Sequence, residues 1–337
     1  MTSFREKLEV LGKGDKLTAA ALKFLSDVPI EDRNTLREVW PTFSLQRRTR
    51  IIGSLAAIIE DNIDFDFRRV FLNALEDSDP EIRIKAIEGL VEDHSTLFLG
   101  RLLTMLRNDL DKDVRESAAT ALGKFTYLAE LNKLSKLVED TRLRDALVQS
   151  ARDRAENEDV RRRAVESLGY YNGNKEVQEL IAEQYKQGNK HGESAVLAMG
   201  RTMDREWSPI ILHELKSTRP AMRYEAAHAA GEMTLTEALP LLVVMTEDTD
   251  LEVSLSTIWA LGQIGGKPAA DALALAAKSD NPAIREAAQD AIQEIAFSAN
   301  PLIGDRGAAL PALIGAAEAE AAANKPRRIG PVPRKAN

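Results

Sequence analysis

Four histidines, His94, His191, His213 and His228, are the chain's whole supply of imidazole, so acid-base or metal chemistry is sought there first. No two of them stand four apart around a glutamate, the HExxH spacing that puts two imidazoles on one helix face for zinc. One glutamate directly follows a histidine, at His213-Glu214, and a single dipeptide offers too few ligands for a metal. The absence of cysteine excludes disulfides, thiolate metal sites and a cysteine nucleophile together, and is consistent with a reducing compartment. "LGKGDK" at 11–16 and "GQIGGKPAA" at 262–270 lack the GxxxxGK[ST] spacing of a phosphate loop. In the second of these, Gly265 and Gly266 follow an expected helix and precede Pro268, which predicts a helix stop and a turn. Arg161, Arg162 and Arg163, with Arg142, Arg144, Arg152 and Arg154 nearby, form the one basic cluster that the body shows in sequence. They interleave with Asp145, Asp153, Glu156, Glu158 and Asp159, so a solvated helix face is expected. No catalytic, cofactor-binding or metal residues and no cofactor are therefore expected.

The elements that position these residues are helical by composition. Of 337 residues 44% are hydrophobic but only 5% aromatic, with Ala and Leu dominant, which suits closely packed helices better than a sheet core. The N-terminus carries Arg5, Glu6, Lys7 and Glu9 and so lacks the apolar core of a signal peptide; the expected location is cytoplasmic. The longest apolar run, "IIGSLAAII" at 51–59, is too short to span a bilayer, so no membrane contact is expected. Net charge is −8; removing the five positive charges of the acid-free tail "KPRRIGPVPRKAN" leaves the body at −13. An acidic body argues against binding nucleic acid along phosphate backbones.

One phrase recurs: an apolar residue, Arg, three residues, a small residue, then an apolar residue and often Gly. It stands at Arg83 in "PEIRIKAIEGLV", Arg115 in "KDVRESAATALG", Arg161 in "EDVRRRAVESLG", Arg223 in "PAMRYEAAHAAG" and Arg285 in "PAIREAAQDAIQ". Weaker copies put Gly192 and Ser254 at the Arg position, and Arg48 begins the set. From 161 to 285 each step is 31 residues; the upstream steps of 35, 32 and 46 are looser, with an insertion near 128–155. Val114, Ala118, Ala121 and Leu122 share one helical face and predict burial. Asp79-Pro80 and Asn281-Pro282 are helix starts. A second apolar run at Leu180, Ile211, Leu242 and Leu273 keeps the 31-residue step, so each unit is helix, turn, helix. Such a pair cannot bury both faces alone, but stacked pairs share one core.

At these residues the chain resembles the HEAT family, and the step with "DxxVRxxAxxALG" is similar to its short bacterial branch of the phycobilin-lyase type. The resemblance covers roughly 35–296. It implies an all-α solenoid, a right-handed α-α superhelix of about eight helix pairs, that binds a protein partner on its concave face. The repeated arginines are expected to pair with acids and carbonyls of neighbouring turns. Related HEAT-like enzymes supply the rival readings. Deoxyhypusine hydroxylases hold two irons through several His-Glu dipeptides, of which His213-Glu214 is the single match; bilin lyases act on a chromophore; HEAT-like DNA glycosylases use aromatic and acidic residues in a basic groove, for which Trp207 near Asp204 is the candidate.

A residue two places after a core position is turned by about 200 degrees, so Glu116, Thr120 and Gly123 are expected to face outwards. The same register gives one column of Ile84, Glu116, Arg162, Glu193, Tyr224, Leu255 and Glu286, and a second of Glu88, Thr120, Glu166, Leu197, His228, Trp259 and Asp290. Tyr224, His228, Leu255 and Trp259, with Glu193 and Leu197 beside them, form the expected partner-binding patch, aromatic and apolar on an open face. The alternative is that Trp259 packs under the next helix.

The expected organisation is N-terminal capping helices at 1–34, the repeat array at 35–296, an Ala-rich segment with a closing helix at 297–323 and a disordered basic tail at 324–337. That tail is either a solubilising end or a contact for an acidic surface. The expected function is a non-catalytic scaffold for an unidentified protein partner; a HEAT-like oxidoreductase or lyase is the alternative.

Overall fold

The structure, a computed structural model, describes residues 3–14, 17–61, 64–131 and 137–298. The expected closing helix and basic tail lie outside the described residues. The chain divides into two compact units, which among the described residues are 3–125 with 153–160, and 126–152 with 161–298.

Among the described residues, helices α1 (Phe4–Lys13) and α2 (Ala19–Leu22) precede eight pairs. The pairs are α3 (Arg33–Val39) with α4 (Leu45–Asp61), α5 (Arg68–Ala74) with α6 (Pro80–Gly89), α7 (Thr96–Asn108) with α8 (Lys112–Glu130), and α9 (Leu137–Arg152) with α10 (Glu158–Leu168). They continue as α11 (Lys175–Gln187) with α12 (Asn189–Thr202), α13 (Ser208–Glu214) with α14 (Pro220–Glu232), α15 (Leu239–Met245) with α16 (Leu251–Ile264), and α17 (Gly266–Ala276) with α18 (Pro282–Ser298). The second helix of a pair packs on the second helix of the next: α4 on α6 in the first unit, and α12, α14, α16 and α18 in succession in the second. This is the all-α solenoid fold. No strand occurs among the described residues, and no helix is long and apolar enough to cross a membrane. The long step near 128–155 lengthens helices: α8 and α9 have 19 and 16 residues, against 7 in α13.

The repeated arginine builds the joints. Arg83 donates Nη1 to the Asp77 carbonyl (2.8 Å), and Nε and Nη2 to the two oxygens of Asp109 (2.9 and 2.7 Å). Arg115 repeats this with the Asp109 carbonyl and Glu156, and Arg223 with the Ser217 carbonyl and Asp248. Ser254, one of the weaker copies, donates its hydroxyl to the carbonyl six residues back, at Asp248 (3.1 Å). The receiving acid also orders the next start: Asp248 accepts from the Asp250 N–H (2.9 Å), and Asp250 in turn caps Glu252 and Val253 of α16. Each guanidinium thus ties the turn within one pair to the turn within the next by charge-assisted, bidentate bonds.

The recurring glycine is a notch. A Cβ built on Gly169 would lie 2.9 Å from the Ala198 carbonyl oxygen, on Gly200 2.7 Å from Ala229 Cα, and on Gly231 2.8 Å from Ala260 Cα. Gly262 meets Ala291 in the same way at 3.0 Å. Successive second helices therefore approach backbone to backbone, a distance open only to Gly against Ala. On the core face Val114, Ala118 and Leu122 are buried and Ala121 is half-buried. Gly265 takes a φ of 66° and its N–H caps α16 at the Leu261 carbonyl, which is the expected helix stop; Gly266, at a φ of 83°, already opens α17, so a single residue rather than a turn separates the two helices.

Candidate functional site

The close approach of second helices decides where the two columns point in the second unit. Arg162, Glu166 and Tyr224, expected outward, are buried at 7%, 5% and 6% exposure. The reason is the notch: helices this close sandwich the residues on the flank of each between neighbours. In the first unit Gly123, also expected outward, is buried too. Glu193, Leu197, His228, Leu255 and Trp259 are half-buried.

The arginine cluster divides: Arg142, Arg152 and Arg154 are exposed, as a solvated face requires, whereas Arg162 is buried and Arg163 half-buried. Arg162 donates to Ser194 Oγ (2.7 Å), Arg163 donates to Glu166 Oε2 (2.9 Å), and the Ser194 hydroxyl donates to Glu166 Oε1 (2.5 Å). Glu166 is thus a saturated anchor between α10 and α12. Glu193 on α12 pairs with Arg219 at the start of α14.

Beyond these lies a set that the two expected columns did not contain. Tyr170, Arg201 and Glu232 each follow a notch glycine and keep the 31-residue step. Arg201 donates to the Glu166 carbonyl (2.9 Å) and lies 5.0 Å from the centre of the Tyr170 ring, a cation-π contact. His228 stacks on Trp259 with ring centres 4.5 Å apart and planes at 10°, and the rim of the Trp259 ring lies over Gly231. His228 Nδ1 is 3.8 Å from Glu232 Oε1, too far for a hydrogen bond.

Three adjacent side chains consequently hold shielded polar atoms without a hydrogen-bond partner: Arg201 Nε, His228 Nδ1 and Glu232 Oε2. Burial pushes the Glu232 carboxyl up to about 7 against the pull of Arg201. Burial, reinforced by Glu166, pushes Glu225 on the same helix up to about 8, with Arg201 opposing. Burial and then Arg201 push His228 down to about 4, so its ring is neutral at pH 7. Near neutrality this set offers one fixed cation, a neutral imidazole and carboxyls able to donate as well as accept. Among the described residues no group of three or more His, Asp or Glu could hold a metal ion. Glu214 of the His213-Glu214 dipeptide accepts the Tyr185 hydroxyl (2.5 Å). Asp204 accepts from Gln178 Nε2 (2.7 Å) and from the Glu206 N–H, a turn-building role.

Helix pairs stacked through a repeated Arg-carbonyl-Asp joint define a tandem helical repeat protein. The family is specific: a family model for HEAT repeats matches residues 69–152 and 208–293, half of the chain, and the chain belongs to the HEAT-repeat family. No curated protein matches it. Among solved structures, human deoxyhypusine hydroxylase in complex with glycerol is similar at 14% identity and a TM-score of 0.34, over 79% of this chain and 96% of that one. The complex of CpcE and CpcF of phycocyanin lyase from Nostoc sp. is similar at 19% identity and a TM-score of 0.44, over 68% and 90%. Yeast importin-beta is similar at 14% identity and a TM-score of 0.49 over 94% of this chain, which spans 49% of its length.

Proposed function

We propose that the protein is a non-catalytic cytoplasmic scaffold that holds another protein against the second-helix face of its second unit, with repeats of the short bacterial type. HEAT repeats fit an interaction role, and the observation that carries the reading is the half-buried polar trio Arg201, His228 and Glu232 beside half-buried Leu197, Leu255 and Trp259. Arg201 Nε, His228 Nδ1 and Glu232 Oε2 are closed to solvent, but the three residues are each half-buried, so the rest of each polar side chain stays open to a partner's donors and acceptors. The apolar neighbours supply the anchoring area. Against catalysis, Glu214 of the His-Glu dipeptide is already engaged by Tyr185 and the carboxylate of Asp204 by Gln178 and a turn.

The test is to recover the protein from its native cell and identify what accompanies it, in parallel with His228→Ala/Trp259→Ala. The expected result is a stoichiometric protein partner lost from the variant, with far-UV circular dichroism unchanged. Bound iron or a pigment, found by metal analysis and an absorption spectrum of the purified protein, would overturn the reading in favour of a HEAT-like enzyme.

A further inference from the structure

The first unit contains a second concentration of chemistry, built from residues far apart in the sequence. A cavity of about 180 Å³ lies between the first helices of three consecutive pairs. Five arginines line it: Arg33 and Arg37 from α3, Arg68 and Arg69 from α5, and Arg101 from α7. Their partners are few. Glu76 is shared, 3.2 Å from Arg37 and 2.7 Å from Arg101; Asp93 takes Arg68 at 2.6 Å; Arg69 donates to the Val28 carbonyl at 2.6 Å. Two carboxylates thus face five guanidinium groups, and Arg33 has no acidic partner among the described residues. The contrast with the joint arginines is sharp, since Arg83 and Arg115 each have a carboxylate held by two bonds together with a backbone carbonyl.

An excess of three positive charges in one small cavity is unfavourable in isolation and stands out on a body of net charge −13. The groups remain reachable: the Arg37 side chain is 68% exposed. Two apolar side chains, Ile30 at 73% and Leu97 at 47% exposure, stand in the lining. Guanidinium forks match carboxylates with paired, directed hydrogen bonds, and a cavity of this size takes a group about as large as a benzene ring. A lone inorganic anion would leave Ile30 and Leu97 unused, whereas a peptide alternating acidic and apolar residues engages both.

We propose that this cavity is a docking site for an acidic peptide segment of a partner protein, whose carboxylates enter the arginine fork while its apolar side chains cover Ile30 and Leu97. The site is separate from the second-helix face of the other unit, so its success or failure is read independently of that proposal.

Fluorescence anisotropy with a fluorescein-labelled peptide of repeated Glu-Glu-Leu tests it, using the full chain. Arg33→Gln/Arg37→Gln, both on exposed side chains, is expected to weaken binding by about tenfold or more. Glu76→Gln is expected to tighten it, because Arg37 and Arg101 are released for the ligand. A Gln-Gln-Leu peptide is expected not to bind, and His228→Ala/Trp259→Ala is expected to bind the acidic probe as the wild type does. Equal affinity of wild type and the double arginine variant overturns the proposal. Full displacement of the peptide by inorganic phosphate of matched ionic strength also overturns it, in favour of a small-anion site.

Discussion

Glu232→Gln is the sharpest probe of the polar set in the second unit. Glu232 has its carboxyl raised from 4.5 to about 7 by burial, with Arg201 opposing. Between those two values the folded protein keeps a proton that the unfolded chain releases, so stability falls as pH rises through this window and levels off above it. At about 1.4 kcal/mol per unit, burial of this carboxyl costs the fold about 1 kcal/mol near pH 5, where it holds its proton, and about 3 kcal/mol near pH 9, where it is ionised. Solvent reaches 25% of the side chain, which makes the larger figure a ceiling. Glutamine copies the protonated shape without the charge, and it also relieves Glu225, whose own carboxyl Glu232 helps to raise. The variant should therefore be more stable than the wild type, slightly at the acidic end and by at most about 3 kcal/mol at the alkaline end. Urea titrations followed by far-UV circular dichroism at both pH values measure this, with midpoints compared because repeat arrays can unfold in stages. A gain of equal size at both pH values would show that no raised carboxyl titrates between them, and a loss at the alkaline end would show that Glu232 is ionised and a favourable counter-charge to Arg201; either result refutes the account of the set.

Asp248→Asn should cost about 2–3 kcal/mol, since Arg223 keeps only 15% of its side-chain surface in water and loses its carboxylate. The Arg223 bond holds the Asp248 carboxyl below its ordinary value, so its contribution is complete above that value and lost as pH falls through the lowered one; the variant should lack this acid-side slope in the same titrations. Gly231→Ala should cost about 1–3 kcal/mol, because the new carbon would sit 2.6 Å from Trp259 Cζ3 and 2.8 Å from Ala260 Cα. Gly53→Ala on the exposed side of α4 meets nothing within 4 Å and should instead gain about 0.5–1 kcal/mol; thermal melts of the two variants should move in opposite directions.

The stacking of helix pairs was legible because a period of 31 residues repeats core positions and joint residues together, and no other order buries them all. The flanks of the second helices were less so. A helical wheel treats the helix as an isolated cylinder, on which Arg162, Glu166 and Tyr224 face away from Val160 and Met222; the neighbour drawn in by the glycine notch covers them all the same. Tyr170, Arg201 and Glu232 do carry a signal, a constant place after that glycine, but three unlike side chains hide it from a search for sameness. The run Arg161 to Arg163 drew attention by adjacency, yet Glu166 and Ser194 absorb Arg162 and Arg163. The five arginines between 33 and 101 share no spacing, since only the packing of α3, α5 and α7 gathers them.

The pairing of each notch glycine with an alanine 29 residues later has a bearing on how such a chain can change length. Sliding one second helix by a single residue would replace the alanine by a bulkier neighbour, or bring another side chain onto the glycine, and the two backbones would have to part. Small insertions are therefore tolerated in the turns but not along these helices. The natural increment of growth or shortening in the second unit is one whole module, added or removed with its glycine and its alanine together.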